Sequence, residues 1–139
     1  MQYWLMKSEP STWSWDDQLA AGAAGAEWDG VRNYQARNNM RAMAVGDRAF
    51  FYHSQKEKAI VGIVEVIAPA HPDSTTEDPR WDCVDVRAVE PLARAVTLDE
   101  IRADPRLAEM VLLRNSRLSV QPVSAAEWSV IRGMGGRGA

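Results

Sequence analysis

Residues 48–67 read RAFFYHSQKEKAIVGIVEVI, and this stretch decides the fold. Arg48–Ser54 is rich in aromatic residues and Ala59–Ile67 in valine and isoleucine, both at home on a pleated, half-buried surface. Gln55-Lys56-Glu57-Lys58 between them is polar enough to turn in solvent. The spacing predicts a β-hairpin entered through the turn at Gly46-Asp47. Working outward, Tyr3–Lys7 (YWLMK) reads as a first strand, ended by Ser8-Glu9-Pro10. Asp82–Glu90 (DCVDVRAVE) alternates with period two, as a half-buried strand does. Leu118–Val123 is a last strand, interrupted at Pro122.

The helices are short. Trp13–Ala21 has Ser11, Thr12 and Ser14 as candidate N-caps, and Asn33–Met43 has Asn33. Thr97-Leu98-Asp99-Glu100 and Ser124-Ala125-Ala126-Glu127 carry capping-box spacing, the second opening a helix through Arg132. Pro105–Met110 adds a turn of helix. GAAGAE (22–27) reads as a flexible connection, Pro69–Pro79 as a loop, and Gly133–Gly138 as a fraying tail. Five or six strands flanked by helices without strict alternation predict an α+β fold. A small mixed or partly closed barrel fits, because it limits exposed strand edges.

The chain has 139 residues, enough for one domain with one sizeable core. Its net charge of −3 argues against a protein held on nucleic acid by bulk charge, and leaves room for a local basic patch or a pocket that reads one nucleotide. Cys83 is the only cysteine, so no internal disulfide forms and a reducing compartment is the simple reading. Met1–Met6 is too short for the apolar part of a signal peptide, and no run approaches a membrane span. These features predict a soluble cytoplasmic protein. The sequence is compatible with a monomer and fixes no oligomeric state.

Six tryptophans are many for this length. Trp4, Trp15 and Trp128 fall in strand or helix patterns and are expected in the core, whereas Trp13 and Trp81 fit either role. Trp28 opens WDGVRNYQARNNM (28–40), where aromatic rings, arginines and asparagines crowd together. On a helical wheel of about 100° per residue, Ala36, Met40 and Met43 share an apolar side, and Tyr34, Arg37, Asn38 and Arg41 lie opposite. That second side is either a solvated face or a ligand-facing one. Trp28 just upstream favours the latter, as do the free N–H groups near Asn33, which suit an anion.

The glycines of GMGGRG (133–138) have no helix to follow and read as tail, no Walker A or G-x-S-x-G motif is present, and no cofactor or catalytic residue is assigned. His53, His71 and Cys83 lack paired spacing, so no metal site is expected. His53 and Ser54 form either a strand-end hydrogen-bonded pair, a catalytic pair or part of a pocket mouth. Glu77, Asp78 and Asp82 read as a solvated loop. Arg114-Asn115-Ser116-Arg117 is either a surface turn or a basic wall for an anionic ligand.

Taken in order, YWLMKSEP, WDGVRNYQARNNM, GDRAFFYHS, GIVEV, RWDCVDV and LRNSRLSVQPV resemble the successive blocks of the EVE domain, from Gln2 to about Ile131. The resemblance implies a PUA-like fold, a single domain over 1–139, and kinship with the YTH domains that hold a methylated adenine in an aromatic cage. It further implies binding of a modified base in DNA or RNA, 5-modified cytosine included, by extraction into a pocket. Carried over by position, Lys7 and Ser8 begin the pocket, and Trp28 is a cage wall. Asn33 and Tyr34 supply an edge contact and a second face, and His53 and Ser54 sit at the strand end. Arg37, Asn38, Arg114 and Arg117 flank the mouth. On this reading Trp28→Ala is expected to weaken ligand binding while leaving the fold intact. Two other functions remain open: a nucleic-acid-processing enzyme of ASCH type using Lys7, Glu9 and His53, and an interaction module that binds a small metabolite.

Overall fold

A computed structural model describes residues 1–136. Six strands form one mixed sheet: β1 (Tyr3–Ser8), β2 (Ala26–Glu27), β3 (Arg48–His53), β4 (Ala59–Pro72), β5 (Asp82–Thr97) and β6 (Val120–Val123), in the order β2-β5-β4-β3-β1-β6. β1 runs parallel to β3, with Leu5 opposite Phe50, and the other neighbours are antiparallel. Among the described residues β2 and β6 do not pair, so the sheet stays open. The expected α+β fold is present, with the barrel left unclosed.

The predicted hairpin is β3–β4. β4 and β5 are longer than the sequence led one to expect, and the reason is irregular register. Ala68 faces Asp85 and His71 faces Cys83, so two residues of β4 oppose one of β5. Pro69 sits in that bulge, where a missing N–H costs the ladder nothing. β5 likewise continues beyond Pro91, which faces Gly62, to Thr97.

Alternation sends side chains to two cores. Trp4, Met6, Phe51, Val64, Val84 and Val86 face one layer, with α1 (Trp15–Ala20) and α2 (Tyr34–Ala42) packed on it. Leu5, Phe50, Tyr52 and Ile63 face the other, covered by α3 (Leu98–Ala103), α4 (Val111–Arg114) and α5 (Ala125–Met134). Trp4, Trp15 and Trp128 are all buried. Ala36, Met40 and Met43 are the buried side of α2, as the wheel predicts.

The caps are local. Ser14 caps α1 in a capping box with Asp17, Asn33 caps α2, and both predicted boxes at Thr97 and Ser124 are made. α5 runs two residues beyond Arg132, its cap Gly135 lies against Leu92, and residues 137–139 of the expected tail lie outside the described residues. GAAGAE folds into a 3₁₀ turn (Gly22–Ala24) and β2. Gly25 makes this possible: its φ is +70°, and a Cβ there would lie 2.4 Å from the Val86 carbonyl oxygen.

Candidate functional site

β1 and the loop after β2 bracket a cleft of about 660 Å³, within the range of small-molecule sites (~300–1,000 Å³). Lys7, Ser8 and Glu9 line it at the end of β1, Thr12 and Trp13 on the approach to α1, Ala26 and Glu27 on β2, Trp28–Arg32 on the loop, and Ser119 beside β6. Each wall has a fixed support.

The loop wall is pinned at two points. The Trp28 amide donates to the Val84 carbonyl at 2.8 Å, and the Gly30 amide donates to Asp73 Oδ2 at 2.8 Å. Gly30 takes a φ of +79°, a turn conformation that suits glycine. Asp73 is 2% exposed and also accepts from Arg32 at 3.1 Å and from the Thr75 amide and hydroxyl at 2.8 and 2.6 Å. Burial opposes its charge, but the donors from Thr75, Gly30 and Arg32 outweigh that and hold its pKa down to about 2.

The other wall is Trp13. Its indole N–H donates to Oε1 of the fully buried Gln18 at 2.9 Å, and Gln18 donates onward to the Val86 carbonyl at 3.1 Å. Ser8 Oγ donates to the Trp13 carbonyl, tying this wall to β1. Trp28 is 6% exposed and meets Phe51 edge-on, with ring centroids 5.4 Å apart. It belongs both to the core and to the cleft, which overturns the expectation that its removal spares the fold.

Polar groups of both signs line the cleft. Lys7 is half-buried, donates to the Ser116 carbonyl, and has its pKa lowered by that burial. Glu9, Glu27 and Asp29 supply three carboxyls. Asp29 has its pKa raised, by loss of water first, then by the charges of Asp73 and Glu27, with Arg32 opposing.

Behind the Glu27 wall, the ligand-type atoms of Glu27, His71 and Cys83 lie within 4.8 Å of one another. Tertiary contact creates this cluster, which sequence spacing does not show. Its groups are hydrogen-bonded to their neighbours: Cys83 Sγ to Glu27 at 3.4 Å, and the His71 nitrogens to Asp85 at 2.7 Å and to the Pro72 carbonyl at 3.0 Å. Both His71 partners are acceptors, and the Asp85 bond above all raises the His71 pKa. Burial pushes the Cys83 thiol well above its usual range, with the Glu27 bond adding to the effect. The reactive species is the thiolate, so iodoacetamide at mild alkaline pH should leave Cys83 unlabelled in the native protein and label it after denaturation. Intact-mass spectrometry checks this, and rapid native labelling would show that the site opens.

A family model for the EVE domain matches residues 2–134. The chain belongs to the EVE domain family. This EVE domain is similar to thymocyte nuclear protein 1 of Mus musculus, at 38% identity over 93% of this chain and 71% of the relative. A crystal structure of a protein from Agrobacterium tumefaciens superimposes with a TM-score of 0.97 at 54% identity, covering 100% of this chain and 97% of that one. The structure of human THYN1 in complex with DNA containing 5-methylcytosine superimposes with a TM-score of 0.91 at 35% identity, covering 97% and 98%. A YTH domain from Zygosaccharomyces rouxii shares the fold, with a TM-score of 0.59 at 14% identity.

Of the residues the sequence singled out in this EVE domain, Lys7, Ser8 and Trp28 line the cleft. Asn33 is spent on capping α2, its side chain accepting from the Ala36 amide at 2.9 Å. Tyr34 is half-exposed and stacks on Trp81 at 5.0 Å, with Arg37 4.9 Å from the Tyr34 ring and Arg32 5.5 Å from the Trp81 ring. This ladder stands beside the cleft, sharing Arg32 with it. Arg37 bonds Asn38 and the Arg80 carbonyl. His53 is turned inward: Nε2 accepts from the Trp15 amide at 3.0 Å, and Nδ1 meets Glu57 at 2.5 Å. Ser54 donates from its amide and its hydroxyl to the Ser8 carbonyl. Arg114 pairs with Glu109, and Arg117 is exposed one residue from Ser116, which takes the Lys7 ammonium.

Sequence reasoning left out Asp29 and Arg32 and left Trp13 undecided. The signal available for Trp13 was its place just after the Lys7-Ser8 strand end, on the approach to α1. Glu27, Asp29 and Arg32 became legible only once β2 and the loop after it were seen to line the cleft.

No described helix is long and apolar enough to cross a membrane.

Proposed function

We propose that this chain is a non-catalytic reader that takes a modified nucleobase, such as a 5-modified cytosine or a methylated base, out of DNA or RNA and into the Trp13–Trp28 cleft. The observation that carries this reading is the pair of indoles lining one cleft of suitable size. The THYN1 complex with 5-methylcytosine DNA supports it from a relative. Extrusion costs a few kcal/mol, and stacking on an aromatic returns about 1–3 kcal/mol per base. Two indoles and edge hydrogen bonds therefore suffice. A buried methyl adds only about 0.8 kcal/mol, so discrimination by the methyl alone is expected to be several-fold.

Lys7 and Ser8 form the floor in this reading, and Arg117 and the Arg37–Asn38 side of α2 approach the backbone around the mouth. A processing enzyme using Lys7, Glu9 and His53 finds less support, because the His53 ring nitrogens face the Trp15 amide and Glu57. The lone buried Cys83 supports a reducing, cytoplasmic compartment for this chain, while the Mus musculus relative is named as nuclear.

The test is a binding panel of DNA and RNA oligonucleotides of one sequence, modified and unmodified, with free nucleosides alongside, at fixed salt. Tighter binding of a modified strand is the expected result. Turnover of any ligand would favour an enzyme, and binding of nucleosides alone would favour a metabolite module. Neutralising Arg37 or Arg117 should weaken modified and unmodified strands alike and flatten the salt dependence.

A further inference from the structure

Resting on the reader assignment, the geometry points to Asp29 as the residue that selects the base: its carboxyl accepts a hydrogen bond from an exocyclic amine, so the cleft takes an amine-bearing base, cytosine or adenine in type, over one that presents a carbonyl there.

Three carboxyls line the cleft, and two are already engaged. Glu27 Oε1 accepts from the Ser74 amide at 3.1 Å and from Cys83 at 3.4 Å, and Glu9 Oε1 accepts from Gln55 at 3.4 Å. Among the described residues nothing donates to Asp29, and its pKa is raised by partial loss of water and by the charges of Asp73 and Glu27 against that of Arg32. Its carboxylate lines the cleft, stays exposed there and accepts from no neighbour, so both oxygens are free to take a ligand N–H.

Its position is also fixed. Asp29 follows the indole of Trp28 directly and stands between the two anchored amides, Trp28 on Val84 and Gly30 on Asp73. A base stacked on that indole presents its edge to a carboxyl whose backbone does not need to be ordered on binding. Cytosine offers an amine at N4, which aspartate and glutamate accept, and adenine offers one at N6. Thymine offers a carbonyl oxygen at the same place and meets lone-pair repulsion.

The experiment uses single strands identical except at one position, occupied by 5-methylcytosine, thymine or N6-methyladenine. 5-Methylcytosine and thymine share the ring size and the methyl, so stacking is matched and the edge differs. Wild type should bind 5-methylcytosine or N6-methyladenine about tenfold or more tighter than thymine, and the tighter of the two amine arms names the base. Asp29→Ala should erase that ratio, mainly by weakening the amine-bearing strand. Asp29→Asn, nearly isosteric, should narrow it by tightening thymine, because its amide can donate to the carbonyl; this variant serves if alanine compromises folding. Strands that all bind equally to wild type, or a ratio unchanged in both variants, would overturn the role of Asp29 and leave the reader assignment standing. Failure to bind any strand would overturn the reader assignment itself.

Discussion

Asp73→Ala is expected to destabilise the protein by about 3 kcal/mol and to weaken ligand binding without touching the ligand. The carboxylate is buried and accepts from Gly30, Arg32 and Thr75, and hydrogen bonds to a charged group contribute about 1.5–3 kcal/mol each, net of the bonds to water they replace. Removing it strands the Gly30 and Thr75 amides and releases the loop that carries Trp28 and Asp29. Denaturant unfolding measures the first effect and oligonucleotide titration the second. A variant as stable as wild type would show that the loop is held by something else. The same group predicts a pH dependence. Its native pKa, about 2, lies below the usual 3.8, so its contribution is complete above about pH 4 and is lost as pH falls toward 2. The shift corresponds to about 2 kcal/mol, and wild type should lose that increment on acidification while Asp73→Ala does not.

Trp28→Ala should cost about 3–5 kcal/mol in stability, because a nearly buried indole leaves a cavity against Phe51. It should also weaken a modified-base strand by tenfold or more, if the alanine variant remains folded. One substitution thus reads two effects, and Trp28→Phe separates them. Phenylalanine keeps most of the apolar contact and gives up part of the stacking area, so a folded variant with several-fold weaker binding is expected. The matching Trp13→Phe also removes the donor to Gln18, so its stability is measured in parallel. Wild-type affinity in both folded phenylalanine variants would remove the indoles from the binding surface.

Much of this was legible in the chain itself. Strand pairing of 48–53 with 59–67 follows from β-branched and aromatic density around a polar turn, and the caps at Asn33, Thr97 and Ser124 follow from side chains that reach their own helix's first turn. The two sides of α2 follow from a 3.6-residue period. All of these are forces acting over a few residues. WDGVRNYQARNNM was rightly marked as unusual, but its aromatic members divide: Trp28 enters the cleft wall, while Tyr34 leaves to stack on Trp81, a partner 47 positions away that no local spacing announces.

What the sequence determined alone, then, is which segments are strands and helices and which family's blocks they form, because periodicity, capping and turn chemistry are local. What the tertiary structure decided is which groups meet. Parallel pairing of β1 with β3 and the bulged register of β4 with β5 bring Asp73 to Gly30, Gln18 to the Val86 carbonyl and Cys83 to Glu27, and turn His53 toward the Trp15 amide. These contacts join residues far apart in the chain or set by the sheet's register, and only the closed packing of the sheet against α1 and its loops makes one cleft of them.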